Sequence, residues 1–321
     1  MNFLLSANNH YLLPLSVCLT SILENHKKDS INVYVLQNDF DNENKILLNN
    51  LFKKYNQNLY IIDVDNHYYD NVPVLRWSKE TYYRLLINEL LPNDLKRILY
   101  LDCDIIVNKN IKDFYDIDLK NNTIAALIEN NNFREKIGLY KEGKYFQAGV
   151  LLFDILKYKT KLNYEKSLEI IEKLGSNMIA VDQDVINIAF DGDMLPINEK
   201  YNNCKITNFY NNNLYRLFNF TSRETIDNTA IFHYASSKPW NNLFSGSCEK
   251  IWYKYLAISP YQYLYHMKYN KLKYKILRFG VVKYILYLYI YLTPIIEKIT
   301  RKIFPQKIYN KLKKFYREKI K

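Results

Sequence analysis

The chain reads as an α/β protein built on a mainly parallel sheet. Short aliphatic runs recur through its first 110 residues, and amphipathic stretches of 13 to 15 residues separate them. Connections of that length join parallel strands through helices laid on the sheet faces. With 48% hydrophobic residues among 321, the sequence can also fill a large core.

In order, NFLLSA (2–7) reads as a buried strand and LPLSVCLTSILENH (13–26) as a helix. INVYVLQ (31–37) is a second strand, DNENKILLNNLFKKY (41–55) a second helix and LYIIDV (59–64) a third strand. SKETYYRLLINEL (78–90) reads as a helix leading into RILYLDCDIIV (97–107), a fourth strand. Further on, FQAGVLLFDI (146–155) is a strand, NYEKSLEIIEKLG (163–175) a helix and VDQDVINIAF (181–190) the start of another. AIFHYASSKPW (230–240) is a strand that runs into a loop. Parallel sheets bind ligands beyond the carboxyl ends of their strands, where Asn8, His10 and Asp102 all fall.

Several function classes drop out on composition. The seven glycines form neither GxGxxG nor GxxxxGK[ST], so a dinucleotide fingerprint and a P-loop are both absent. Cys18, Cys103, Cys204 and Cys248 show no CxxC spacing, which argues against a zinc site and fits a reducing compartment. The net charge of +12 suggests nucleic acid until it is located. Residues 261–321 hold 16 of the 45 basic side chains and 2 of the 33 acidic ones, leaving the rest at −2. A nucleic-acid enzyme would carry its basicity around the site, so no nucleic-acid partner is expected.

Six Asp-x-Asp pairs occur, at 39/41, 63/65, 102/104, 116/118, 182/184 and 191/193. Only 102/104 has apolar runs on both sides; the 63/65 pair, ending a strand, is its best rival. Strand periodicity would aim Asp102 and Asp104 to one face, where two ionised carboxylates need a positive partner. A hard divalent cation suits such oxygen ligands and leaves positions for phosphate. A single structural Asp capping the next segment is the plainer alternative. HYASSKPW (233–240) adds His233 and Lys238, an imidazole and an ammonium able to join a cation in clamping a diphosphate leaving group.

The ordered set SANNHY, RWSKETYYR, YLDCD, YFQAGVLLFD, DQD and HYASSKPW resembles glycosyltransferase family 8 across most of residues 1–250. That retaining family includes glycogenin and the bacterial lipooligosaccharide galactosyltransferases. The resemblance implies a GT-A type fold over residues 1–255 and a UDP-sugar donor held by manganese or magnesium. By motif position, Asp102, Asp104 and His233 would bind the metal. Ala7, Asn8, His10 and Tyr11 would line the uridine and ribose side, with Cys103 inside the YLDCD segment. Arg84 and Gln147 would reach the donor, and Lys238 with Ser236 or Ser237 the diphosphate. Asp182 and Gln183 would sit beside the sugar as the catalytic pair, with Glu129 facing the acceptor. Three positions depart from the pattern. Asn8 stands where relatives often have Asp, and Gln147 makes FQAG of the usual FNAG. His233 and Lys238 are five apart rather than six.

Two other readings compete. Aliphatic-Asp-x-Asp also opens haloacid-dehalogenase-like phosphatases, but there the strand comes first in the fold, and GDMLPI (192–197) lacks their later Asp. A non-catalytic membrane-bound nucleotide-sugar binder is the second. Residues 256–321 read as a basic, Tyr-rich appendage. Its longest apolar stretch, YILYLYIYLTPII (284–296), lies between Lys283 and Glu297 and is too short for a spanning helix. Tyr and Lys suit an anionic membrane interface, so the appendage is expected to attach the chain peripherally. MNFLLSANNHYLLPLSV lacks a basic n-region, which leads to the expectation of a cytoplasmic enzyme on the inner face of the membrane, growing a lipopolysaccharide or similar surface glycan.

Overall fold

The computed structural model describes residues 1–129, 133–204, 223–235, 238–240 and 249–265. Met1–Tyr263 form one compact unit. The membrane-attachment expectation falls mainly on 266–321, outside the described residues. Among the described residues no helix is long and apolar enough to cross a membrane.

The strands are β1 (Asn2–Ser6), β2 (Asn32–Gln37), β3 (Asn58–Asp63), β4 (Arg97–Leu101), β5 (Ile105–Val107), β6 (Ile124–Ala126), β7 (Ile128–Glu129), β8 (Tyr145–Phe146), β9 (Val150–Asp154), β10 (Met194–Pro196) and β11 (Ile231–His233). Seven build one sheet in the order β10-β6-β9-β4-β1-β2-β3. Neighbours run parallel except at β9, which is antiparallel to both β4 and β6. β5 pairs with β11, and β7 with β8, in two small antiparallel sheets.

Period-two alternation divides the core between the two faces of the large sheet. Phe3, Leu5, Val33, Val35, Leu99, Leu101 and Leu152 face one side, where they meet Leu15, Leu19 and Ile22 of helix Leu12–Asn25 and Leu48 and Phe52 of helix Asn42–Tyr55. Leu4, Tyr34, Leu36, Ile98, Tyr100, Leu151 and Phe153 face the other, against Tyr82, Tyr83, Val185 and Ile186. Local sequence sets the helix limits. Asp41 caps the second helix by accepting from Asn44 N at 2.7 Å, and Asn56 ends it in the left-handed region at φ 53°.

Three expected elements are broken, two of them at the carboxyl-end cleft. The strand expected over 97–107 ends at Leu101 and resumes at Ile105 in a different sheet. Asp102–Cys103–Asp104 form the turn between, so the carboxylates share a cleft by turning out of the strand and not by strand periodicity. The strand expected over 146–155 splits at Gln147–Gly149, where β8 leaves for the small sheet. The helix expected over 78–90 is a 3-10 helix over Lys79–Leu85 followed by a short α-helix Ile87–Leu90. Tyr82, Tyr83, Arg84 and Leu85 are all buried in succession, so the segment shows no single apolar face. In the tighter turn Arg84 Nε donates to Thr81 O at 2.9 Å.

Candidate active site

Asp102 follows directly on β4, where its backbone N–H continues the ladder to Gly149 O at 2.9 Å. Asp104 precedes β5, and its carbonyl accepts from Tyr234 N at 2.9 Å, which ties the turn to the segment after β11. His233 ends β11. Its Nε2 lies 3.1 Å from Asp104 Oδ1 and 3.7 Å from Asp102 Oδ2. One ligand atom from each of Asp102, Asp104 and His233 falls within 4.8 Å of the others.

Protein cations compensate these carboxylates as well. Arg84, 4% exposed, places Nη2 2.9 Å from Asp102 Oδ1 and Nε 3.0 Å from Asp182 Oδ2. Its Nη1 donates to Ala148 O at 2.6 Å, and the guanidinium stacks 4.1 Å from the Tyr100 ring centroid. Tyr100 in turn donates to Asp102 Oδ1 at 2.9 Å. Lys238 Nζ bonds Asp104 Oδ2. Burial alone would push the Asp104 carboxyl up, but the Lys238 ammonium and the His233 imidazole outweigh it and hold it well below the usual carboxylate range. Asp182 goes the other way: burial, with Asp102 and Asp184 nearby, pushes it up to about 7 against the pull of Arg84.

Three observations show that the trio fits a divalent cation. Asp104 Oδ1 is buried and has no hydrogen-bond partner, although an imidazole nitrogen stands beside it. Two carboxylates and an imidazole are a donor set for a divalent cation. Gly149 supplies the room. A Cβ built there would lie 2.3 Å from His233 Cε1, 2.9 Å from His233 Nδ1 and 3.0 Å from Asp102 Oδ2.

Next to the trio, Gln183 accepts from Ala148 N at 2.9 Å through Oε1, and its Nε2 donates to Glu129 Oε2 at 2.9 Å and Tyr145 OH at 3.2 Å. Asp184 is enclosed: it accepts from Tyr145 OH and from Ile179 N and Ala180 N at 2.6 and 2.8 Å. Gln147 accepts from Asn202 Nδ2 at 3.0 Å and Cys204 Sγ at 3.3 Å. On the other side, Ala7 N extends the sheet by donating to Leu36 O at 3.0 Å. Asn8 Nδ2 donates to Glu80 Oε2 at 3.1 Å, while Asn8 Oδ1 is buried with no hydrogen-bond partner. His10 is exposed, and Tyr11 meets Trp240 edge-on at 6.2 Å. Cys103 is buried, with Sγ 3.1 Å from Ser6 O. Ser236 and Ser237 lie outside the described residues.

The structure thus brings together two ion-paired groups, Arg84 with Asp102 and Asp182 and Lys238 with Asp104, with His233 between Asp102 and Asp104 and with Gln183, Glu129 and Gln147 on their flank. Sequence reasoning did not single out Tyr100, Tyr145, Gly149, Asn202 or Cys204. Gly149 was legible within FQAG; YNNC (201–204) carries no motif that marks it. Gly149→Ala should therefore displace the His233 ring and weaken divalent-cation binding by about 100-fold or more with thermal stability largely kept. Unchanged manganese affinity in a titration would contradict this placement.

The family model for glycosyl transferase family 8 matches residues 2–243. Glycosyltransferase GlyF of Streptococcus pneumoniae is 28% identical over 258 residues, 79% of this chain and 61% of its own length. The chain spans less than two thirds of the first curated relatives it matches, 63% and 61% of their lengths. Lipopolysaccharide 1,3-galactosyltransferase of Salmonella typhimurium is 24% identical over 252 residues, 75% of this chain and 73% of its length. Among solved structures, galactosyltransferase LgtC with donor and acceptor sugar analogues aligns with a TM-score of 0.70 at 24% identity, covering 81% of this chain and 96% of that one. That likeness, with the seven-stranded sheet, is the GT-A type fold expected from the sequence. The matched span holds every residue of the cleft, from Ala7 to Trp240, and so the chain belongs to glycosyl transferase family 8.

Proposed function

We propose that this chain is a retaining hexosyltransferase that moves galactose or glucose from a UDP-sugar to a surface glycan such as lipopolysaccharide, with manganese or magnesium at Asp102, Asp104 and His233. The observation that carries the reading is the convergence of those three side chains beside the Gln183–Glu129 pair, at the carboxyl end of the parallel strands. The relatives named for galactosyl and glucosyl transfer to lipopolysaccharide support the donor and acceptor classes. When bound, the cation neutralises charge on the diphosphate, which lowers the barrier to its departure.

The chain's own residues do the rest. Lys238, beside Asp104, supplies a second positive charge to the leaving phosphate. Asn8 presents Oδ1 as an acceptor, matched to the N3–H of uracil, because its Nδ2 is held by Glu80. Glu129 and Gln147 line the acceptor and sugar sides. Among the described residues, neither carboxylate beside Gln183 on its helix stands ready as a nucleophile: Asp182 is paired with Arg84, and Asp184 is enclosed by three donors. Gln183 has only an amide. Transfer then runs on the front face. The anomeric C–O bond to phosphate breaks, the incoming hydroxyl oxygen bonds to that carbon, and its proton passes to the departing phosphate. Gln183 orients the sugar as positive charge develops.

The residues 256–321, with their Lys and Tyr, serve in this reading as the attachment to an anionic membrane surface on the cytoplasmic side.

Asp104→Asn should lower UDP-hexose turnover by at least about a thousandfold and abolish metal-dependent UDP binding, with the fold retained. Full turnover in that variant, or in excess chelator, would sink the metal reading. Mass spectrometry under turnover should find no sugar adduct on Asp182 or Asp184; a stable adduct on either would replace front-face transfer with a covalent route. Removing residues 266–321 should move the protein from the membrane fraction to the soluble one while transfer to free sugars persists, and an unaltered distribution would refute the anchor.

A further inference from the structure

His233 has two ring nitrogens, and only one faces the carboxylates. Nε2 points at Asp104 and Asp102; Nδ1 lies 2.8 Å from Asn202 Oδ1. Asn202 is fully buried, and its Nδ2 donates to Gln147 Oε1 at 3.0 Å. Gln147 Oε1 also takes the Cys204 thiol at 3.3 Å, and that sulfur lies 3.4 Å from His233 Nδ1. With Gln147 Oε1 accepting from it, the Asn202 amide turns its nitrogen toward Gln147 and its oxygen toward His233. An oxygen at Nδ1 requires N–H there, which leaves the Nε2 lone pair for a cation.

The backbone supports this register. Asn203 bridges to Phe232 in parallel, with Asn203 N donating to Ile231 O at 3.0 Å and His233 N to Asn203 O at 3.2 Å. Residues 202–204 are thereby laid alongside β11 with Cys204 level with His233, and Asn202, two residues earlier and so on the same face, reaches the imidazole with its side chain. A neutral acceptor is suited to this position, because Asp102 and Asp104 already place two negative charges on the other side of the ring.

We infer that Asn202, braced by Gln147, is a positioning residue that fixes the Nδ1–H form of His233 and aims Nε2 at the divalent cation. This rests on the cation reading above and deepens it. It also gives Gln147 a role in the metal site, since its carbonyl holds Asn202 in place. Asn202 touches neither donor nor acceptor in this account; it acts through His233.

The test is direct manganese titration of the full chain, with free Mn2+ followed by electron paramagnetic resonance, in wild type and Asn202→Leu. The leucine is near-isosteric and removes the acceptor. Manganese affinity should fall about 10- to 100-fold, and saturating manganese should restore kcat to near the wild-type value. A merely structural role would lower the melting temperature and leave the affinity of the folded protein unchanged, which would overturn the inference. If wild type binds no manganese, the cation reading itself fails; if wild type and Asn202→Leu bind equally, only this inference fails. Should the leucine variant not fold, Asn202→Ala decides: it removes the acceptor with less bulk, and manganese affinity equal to that of wild type would overturn the assignment.

Discussion

Arg84 lies between Asp102 and Asp182 with its guanidinium stacked on Tyr100, and the cleft depends on that contact. Two carboxylates separated by one residue at the end of an apolar strand cannot stay ionised without positive charge nearby. Arginine suits the position because its planar fork can serve two acids and two carbonyls at once while its face packs on an aromatic ring. Desolvating this cation is offset because four oxygens and a π-face replace its water. Lys238 does the same for Asp104 from the opposite side. The trio that faces the cleft is therefore set on a frame already close to neutral. A cation entering such a site meets ligands whose orientation the protein has fixed beforehand.

The way the chain leaves its regular elements explains how that frame is aimed. Within β4 and β9, alternation sends every second side chain into a core, which leaves no direction free for function. Functional side chains instead sit where the alternation stops: at Ala7 after β1, at 102–104 between β4 and β5, and at 147–149 between β8 and β9. Because β4 and β9 are antiparallel neighbours with Leu101 opposite Val150, the end of one strand and the start of the other meet at one level. The Asp turn and the FQAG turn must then lie side by side. Gly149 is required by that proximity, not by its backbone angle, since a methyl group would occupy the place of the imidazole.

Much of this was legible in advance, and the residues show why the rest was not. The first three strands and two helices were legible because short aliphatic runs bounded by polar residues alternate with longer stretches of helical length. Helix 78–90 failed because Tyr82 to Leu85 are buried on every side, a tertiary demand that no single period encodes. The strand through 97–107 failed because the apolar runs on both sides of the Asp pair belong to different sheets, and hydropathy does not tell one sheet from another. At the site, charged residues within distinctive segments could be picked out: Asp102, Asp104, Arg84, His233 and Lys238. Their neutral partners could not. Tyr100 and Tyr145 read as core, Asn202 and Cys204 as loop, and each acquires its role only from a partner at least 29 residues away or from a ring packed by the fold. The positive partner foreseen for the Asp pair was a cation from solution; the structure adds two from the chain itself.

The same network explains the spacing between His233 and Lys238, five residues with no glycine among them. A shorter loop would be expected to pull the ammonium away from the site. Instead Lys238 Nζ turns back onto its own segment, donating to Tyr234 O at 2.8 Å and Ala235 O at 3.3 Å, and reaches Asp104 from there. His233 and Lys238 thus approach different oxygens of one carboxylate, the imidazole at Oδ1 and the ammonium at Oδ2. That division lets Asp104 hold a cation through one oxygen while the other keeps Lys238 close by. Two positive charges a few ångströms apart would repel each other; the carboxylate between them screens that repulsion. In the proposed reaction a diphosphate, carrying its own negative charge, would be drawn to both. The shorter loop is therefore compatible with a diphosphate clamp because Asp104, rather than the loop length, sets where the ammonium stands.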